Sequence, residues 1–92
     1  MSAPPGRRSK IQVYSRPGCH LCEVLVEQLL PLIRGQLELQ ICNIDTKSDW
    51  QQRYGLRIPV VVFDRCEICH YILDKDAIVR LVEEEMRANR AC

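Results

Sequence analysis

Arg16-Pro17-Gly18-Cys19-His20-Leu21-Cys22 stands where an extended apolar run gives way to a helical one, and its reading decides the fold. Two thiols spaced Cys-x-x-Cys can close a disulfide across the first turn of a helix. The free amides and the dipole at that helix start favour a thiolate on the first cysteine. This is the layout of a redox dithiol, although half a zinc site has the same spacing. A second signal lies downstream, where Arg57-Ile58-Pro59-Val60-Val61-Val62-Phe63 puts a proline at the opening of an apolar strand.

The segments around these two motifs alternate between strand and helix. Lys10-Ile11-Gln12-Val13-Tyr14-Ser15 has a period of two and reads as a first strand that delivers the chain to the dithiol. From Cys19 the spacing of Leu21, Leu25 and Leu29, with Val24, Gln28 and Leu32 beside them, predicts a helix ending near Gly35. Pro31 falls inside it and predicts a kink or a loosening, since its ring removes one helical hydrogen bond. Leu37 to Ile41 alternates again and predicts a second strand running on through Cys42 to Ile44. With so short a return, the strand-helix-strand order reads as a right-handed unit with parallel strands. Ser48 and Gln51 read as a capping box on a short helix near residues 49–54, with Trp50 as a core anchor.

Val60 to Phe63 is apolar throughout, as expected of a central strand buried on both faces. Asp64-Arg65-Cys66-Glu67 reads as a polar turn and Ile68 to Leu73 as the next strand, the two forming a hairpin. The last segment, Asp74 to about Asn89, places Ile78, Leu81, Val82 and Met86 on one helical face, with Asp74 or Asp76 as its cap. The resulting order is β-α-β-α-β-β-α.

Ninety-two residues form one small domain. We divide the chain into a polar, Pro- and Gly-bearing lead-in (1–9) expected to be disordered, a domain (10–89) and a tail (90–92). The net charge of +1 removes the electrostatic argument for nucleic acid or for an anionic membrane surface. No apolar run approaches the ~20 residues that span a bilayer, and the N-terminus lacks the apolar core of a secretory signal. The expected compartment is the cytoplasm and the expected state a monomer. Six cysteines in so short a chain also suit a secreted disulfide scaffold. The regular segments between them can build a core without staples, so the structural thiols are expected to be reduced.

The dithiol, the proline-led strand and the order of the elements resemble the thioredoxin superfamily, and within it the glutaredoxin-like branch of short dithiol proteins, across roughly residues 10–88. The resemblance implies an α/β thioredoxin-like fold with a four-stranded mixed sheet and helices on both faces. It implies thiol-disulfide exchange, with Cys19 attacking a substrate disulfide and Cys22 resolving the mixed disulfide. It also implies that Pro59 is cis and lies against the dithiol, so that Ile58 and Pro59 hold the substrate backbone. A disulfide-bearing protein or glutathione is then the partner, with no tightly bound cofactor, glutathione being the implied reductant.

The sequence adds detail to that expectation. The amides at the helix start, Arg16, and His20 when protonated all favour a Cys19 thiolate; His20 reads equally well as a solvent-facing residue of the first turn. Arg16 and Arg57 are the arginines expected to bind substrate, Arg53 and Arg57 being candidates for a glycyl carboxylate and Asp74 for an amino group. The Gly-Gly pair that glutaredoxins carry after the last strand is replaced by His70-Tyr71-Ile72-Leu73-Asp74. The first strand carries no carboxylate to act as a base for Cys22.

The rival readings are a zinc protein built on two Cys-x-x-Cys pairs, the second being Cys66-Glu67-Ile68-Cys69, and a redox-inert domain that merely keeps the fold. In a thioredoxin-like order, the seven residues from Pro59 to Cys66 put Cys66 about 20 Å from Cys19, too far for zinc-sulfur bonds of ~2.3 Å. No shared metal is therefore expected. Cys66 and Cys69 then read as a turn cysteine and a strand cysteine without chemistry, with a secondary disulfide or a metal at a dimer contact as the alternatives. Cys42 reads as a small apolar strand residue and Cys92 as a tail thiol.

Overall fold

The computed structural model describes residues 9–91, with side chains described to residue 87. Most of the proposed lead-in, and Cys92 of the tail, lie outside the described residues. The elements are β1 (Lys10–Ser15), α1 (His20–Ile33), β2 (Glu38–Asn43), a one-turn 3-10 helix (Ile44–Thr46), α2 (Ser48–Tyr54), β3 (Val60–Phe63), β4 (Cys66–His70) and α3 (Lys75–Ala91). Their order is the one the periodicity predicts. The sheet runs β2-β1-β3-β4, with β1 and β2 parallel and the other two pairings antiparallel. It is the mixed four-stranded sheet of a thioredoxin-like α/β fold.

Two apolar clusters hold the layers together. Ile11, Val13, Val61 and Phe63 of the sheet pack with Leu25, Leu29 and Ile33 of α1 and with Ile78 and Val82 of α3. On the other face Tyr14, Cys42, Val60 and Val62 pack with Ile44 and with Tyr54 of α2. Each fully buried aliphatic side chain contributes about 1.5–3 kcal/mol by leaving water. All four residues of β3 are buried, because a strand between two others with helices on both faces has no wet side. Tyr14 stacks on Tyr54 with ring centroids 4.2 Å apart and meets the edge of Trp50 at 5.2 Å. Trp50 is half-buried against this second cluster.

Helix α1 ends where its spacing predicts, while later boundaries correct several expectations. Helix α1 continues past Pro31 to Ile33, and the Arg34 N–H donates to the Leu30 carbonyl at 3.0 Å. A proline this near the C-terminus removes a single bond and leaves the last turn in place. Gly35, at φ +79°, then ends the helix in the left-handed region that glycine adopts freely. Strand β2 stops at Asn43, whose side chain accepts from the Asp45 N–H at 2.9 Å and opens the 3-10 turn at Ile44. No capping box forms at α2: its N-cap is Lys47, without a side-chain bond, and Ser48 is already helical.

The hairpin turn is shorter than predicted. Asp64 and Arg65, at φ +51° and +67°, make a two-residue turn of the kind whose twist matches paired strands. Cys66 therefore belongs to β4 and not to the turn. The strand ends at His70 rather than Leu73, because Tyr71 at φ +64° reverses the chain and the Ile72 N–H donates back to the His70 carbonyl at 2.7 Å. Asp74 caps α3, its carboxylate accepting from the Ala77 N–H at 3.1 Å. Helix α3 runs to Ala91, since no glycine or proline follows Asn89 to stop it. Ser9 is tied to the fold: its carbonyl accepts from the Glu38 N–H at 2.9 Å and its hydroxyl donates to Glu85 at 2.8 Å.

Candidate functional site

Strand β1 ends at Ser15, and the next four residues turn the chain into α1. The Cys19 N–H donates to the Arg16 carbonyl at 3.2 Å, closing a turn with Pro17 and Gly18 at its centre. Gly18 has φ +80°. Proline followed by a residue at positive φ is the type II arrangement, which asks for glycine at the second position. This turn fixes Cys19 as the N-cap of α1, with an extended backbone at φ −83° and ψ 109°.

A sulfur occupies the capping role usually filled by an oxygen. The Cys22 N–H donates to Cys19 Sγ at 3.4 Å, so one unsatisfied amide of the helix start is aimed at the first sulfur of the pair. Cys19 is half-buried and Cys22 buried, and both are free thiols. Burial pushes the Cys22 thiol up to about 12, with its hydrogen bond to the Cys19 sulfur adding to the effect; the Arg16 backbone amide and guanidinium act in the opposite direction. Cys22 therefore holds its proton at neutral pH. His20 is exposed at the first helical position.

The Ile58–Pro59 peptide bond is cis. Tyr14 is registered with Val60, so one residue further along the antiparallel pair Pro59 stands opposite Ser15. The proline and the dithiol turn thus leave the same end of the sheet. Ile58 packs against the second apolar cluster, and Pro59 is fully buried. The Pro59 carbonyl accepts from the Tyr71 N–H at 2.9 Å, tying the start of β3 to the exit of β4.

The two arginines proposed to bind substrate are both paired within the chain. Arg16 Nε lies 2.9 Å from Asp45 Oδ1. Arg57 donates to Glu67 Oε1 at 2.5 Å and to the Arg53 carbonyl at 3.2 Å. Burial alone would raise the Glu67 carboxyl, but Arg57 and His70 beside it hold it below the usual carboxylate value. The Tyr71 hydroxyl donates to the Leu56 carbonyl at 2.5 Å. Arg57, Glu67 and Tyr71 thus brace the loop ahead of Pro59 against β4, and Leu56 at its tip is 92% exposed.

Four of these features escaped the sequence reading. The turn had a local signal in Pro17-Gly18, whereas Asp45, Glu67 and Tyr71 carry none, because their partners come from other elements. A groove of about 290 Å³ lined by Ser15, Cys22, Glu23, Val26, Glu27 and Ile41 opens beside the second cysteine. Among the described residues no three of His, Cys, Asp or Glu gather as metal ligands. None of the described helices is long and apolar enough to cross a membrane.

Solved structures share this architecture. A protein of Nitrosomonas europaea, determined by solution NMR, is 36% identical and aligns over 88% of this chain and 98% of its own, with a TM-score of 0.71. An X. campestris protein, at 24% identity, aligns over 80% of this chain and 96% of its own with a TM-score of 0.62. Thioredoxin 1 of Thermosipho africanus shares the fold at 10% identity, with a TM-score of 0.59 over 88% of this chain and 98% of its own. No curated protein matches the sequence. Residues 10–83, from the start of β1 into α3, match the family described as glutaredoxin-like domain (DUF836), and the chain belongs to that family.

Proposed function

We propose that the protein is a thiol-disulfide oxidoreductase working through Cys19 and Cys22. The observation that carries this reading is the division of labour in the pair: a half-buried sulfur receiving a helix-start N–H at 3.4 Å, next to a buried thiol pushed up to about 12. One sulfur is set up to attack and the other to wait.

In the reaction, the Cys19 thiolate attacks one sulfur of a substrate disulfide, forming a mixed disulfide and releasing the first substrate thiolate. Cys22 then gives up its proton and attacks Cys19 Sγ, closing the Cys19–Cys22 disulfide and releasing the second thiolate. Two electrons pass from the protein to the substrate. Two glutathione thiols restore the dithiol and leave as glutathione disulfide. Glu23 and Glu27 line the groove beside Cys22 and are the groups nearest in kind to a proton acceptor for it.

The substrate is a disulfide-bearing protein or a glutathione mixed disulfide, its backbone lying along Ile58 and Pro59. The braced loop and the exposed Leu56 suit a chain that approaches from the proline side, in the manner of an added strand. Arg16 and Arg57 serve this edge through their carboxylate partners.

The test is a titration in glutathione redox buffers, read by alkylation and peptide mass mapping. We expect a reversible two-electron transition confined to Cys19 and Cys22, whose midpoint ranks the protein as reductant or oxidant. A pair that stays reduced across the whole series would overturn the reading.

A further inference from the structure

Two segments meet at Pro59, and a single residue clamps them together. The Tyr71 N–H donates to the Pro59 carbonyl at 2.9 Å, and the Tyr71 hydroxyl donates to the Leu56 carbonyl at 2.5 Å. The loop is also tied to α2, where the Arg57 N–H donates to the Tyr54 carbonyl at 2.8 Å. The register of β4 shifts between Val61 and Val62, leaving Ile68 as the extra residue of a β-bulge. Glu67 and His70 thereby share a face, where Glu67 pairs with Arg57 at 2.5 Å and with His70 at 3.0 Å.

What this bracing holds out to solvent is apolar. Leu56 is 92% exposed and Ile72 77%, the highest values among the large apolar side chains of the described residues. Tyr71, bonded to the first and next to the second in the chain, is 45% exposed. Single exposed leucines are ordinary on a protein surface, whereas apolar side chains grouped around one site mark a surface for a partner. Leu21, between the two cysteines, is exposed as well. The arginines nearest the dithiol and the loop are both occupied, Arg16 by Asp45 at 2.9 Å and Arg57 by Glu67.

Resting on the oxidoreductase reading of Cys19 and Cys22, we propose that Leu56, Tyr71 and Ile72 form the specificity surface of the site and select a protein disulfide whose reacting cysteine has a large apolar side chain within two residues. Burying that side chain against Leu56 and Ile72 removes apolar surface from water on both partners. A charged side chain placed there loses its hydration and meets no opposite charge, because Arg57 and Glu67 already pair with each other. The surface is continuous with Ile58 and Pro59 through the Tyr71 hydrogen bonds, so a backbone held along those two residues in extended form presents its side chains to it. A glutathione moiety brings carboxylates to arginines that are already occupied and no apolar side chain to Leu56, so the face favours the protein side of a disulfide.

The experiment is a single-turnover reaction of the reduced full chain with three symmetric disulfides, followed by mass mapping of the Cys19–Cys22 bond. Two are disulfide-linked peptides identical except for Leu or Glu two residues before the cysteine, and the third is hydroxyethyl disulfide. Each rate is divided by that of the same disulfide with dithiothreitol, which removes differences in intrinsic reactivity. The Leu peptide should react at least tenfold faster than the Glu peptide. Leu56→Ser and Ile72→Ser should each lower that ratio at least threefold, and Leu30→Ser, at an exposed position roughly 16 Å along α1 from Cys19, should leave it as in the wild type. The ratio is taken within one variant, so a general loss of activity does not alter it.

Equal rates for the two peptides beside ready reduction of hydroxyethyl disulfide would overturn the proposal alone, as would a ratio indifferent to both Leu56→Ser and Ile72→Ser. A dimer that Leu56→Ser dissociates in sedimentation would also overturn it, since the surface would then belong to a second copy of the chain. Failure to react with any of the three disulfides would overturn the oxidoreductase reading itself, and the proposal with it.

Discussion

Cys22 donates its backbone N–H to the sulfur of Cys19, 3.4 Å away, so the second residue of the pair caps its helix through the first. The two cysteines are unequal in burial and in hydrogen bonding, and their replacement should have unequal effects. Cys19→Ser should reduce disulfide turnover to background. Cys22→Ser should leave the first step intact and accumulate a mixed disulfide through Cys19, visible by mass spectrometry under non-reducing conditions. A fully active Cys19→Ser protein would remove the mechanism.

Cys22 also sets an alkaline limit on the reduced protein. Its folded value of about 12 stands above the ordinary thiol value of 9.0, so between these limits the unfolded chain has lost a proton that the folded chain retains. By linkage, stability is flat below pH ~9 and falls as pH rises toward 12. Cys42 and Tyr14, both raised chiefly by burial, add to the fall. Urea denaturation of the reduced chain at several pH values should show this slope, and Cys22→Ala should flatten part of it.

Glu67 sets a weaker limit on the acid side. Its carboxyl is held below 4.5 by Arg57 and His70, so it contributes stability above that value that is lost as pH falls through the folded value. The partly exposed pair with Arg57 is worth about 0.2–1 kcal/mol. Glu67→Gln should cost that amount at pH 7 and progressively less as pH drops below 4, measured by chemical denaturation.

Gly18 sits in the turn that fixes Cys19 at the start of α1. A β-carbon there meets nothing within 4 Å, so the penalty of Gly18→Ala is conformational: an alanine at φ +80° costs on the order of 1 kcal/mol. Relief of that strain would reorient the turn and shift the sulfur from the helix start. We expect a modest loss of stability and a larger loss of turnover, read together by denaturation and by disulfide reduction kinetics.

Asp74→Ala removes the carboxylate that accepts from the Ala77 N–H and should cost about 0.5–2 kcal/mol. Helix α3 packs Ile78 and Val82 into the first cluster, so its fraying would be felt globally. A lower midpoint of thermal denaturation, with the alkylation of Cys19 unchanged at low temperature, is the expected result.

The order of elements, the core faces and the dithiol were legible in the residues themselves. Ile11 and Val13, Leu25 and Leu29, Val60 to Phe63, and Ile78 and Val82 announce their buried faces through spacing alone, because periodicity is a local consequence of strand and helix geometry. Cys19 and Cys22 announce their place at the start of α1 because the motif and its helix are continuous in sequence. The capping box at Ser48 and the strand reaching Leu73 were overruled by neighbours: Lys47 holds the N-cap of α2, and Tyr71 reverses the chain after His70.

What only the tertiary structure decided is how distant segments meet. Arg16 looked like a free charge beside the dithiol until Asp45 came within 2.9 Å of it, and Arg57 looked like a ligand for a carboxylate until Glu67 supplied one. The bulge at Ile68 puts Cys66 beside Cys69, and Glu67 beside His70, in register with β3. Local sequence determines which conformations each segment prefers. Pairing register, ion partners and the burial that raises a thiol arise from groups far apart along the chain, and they are settled only when the layers close.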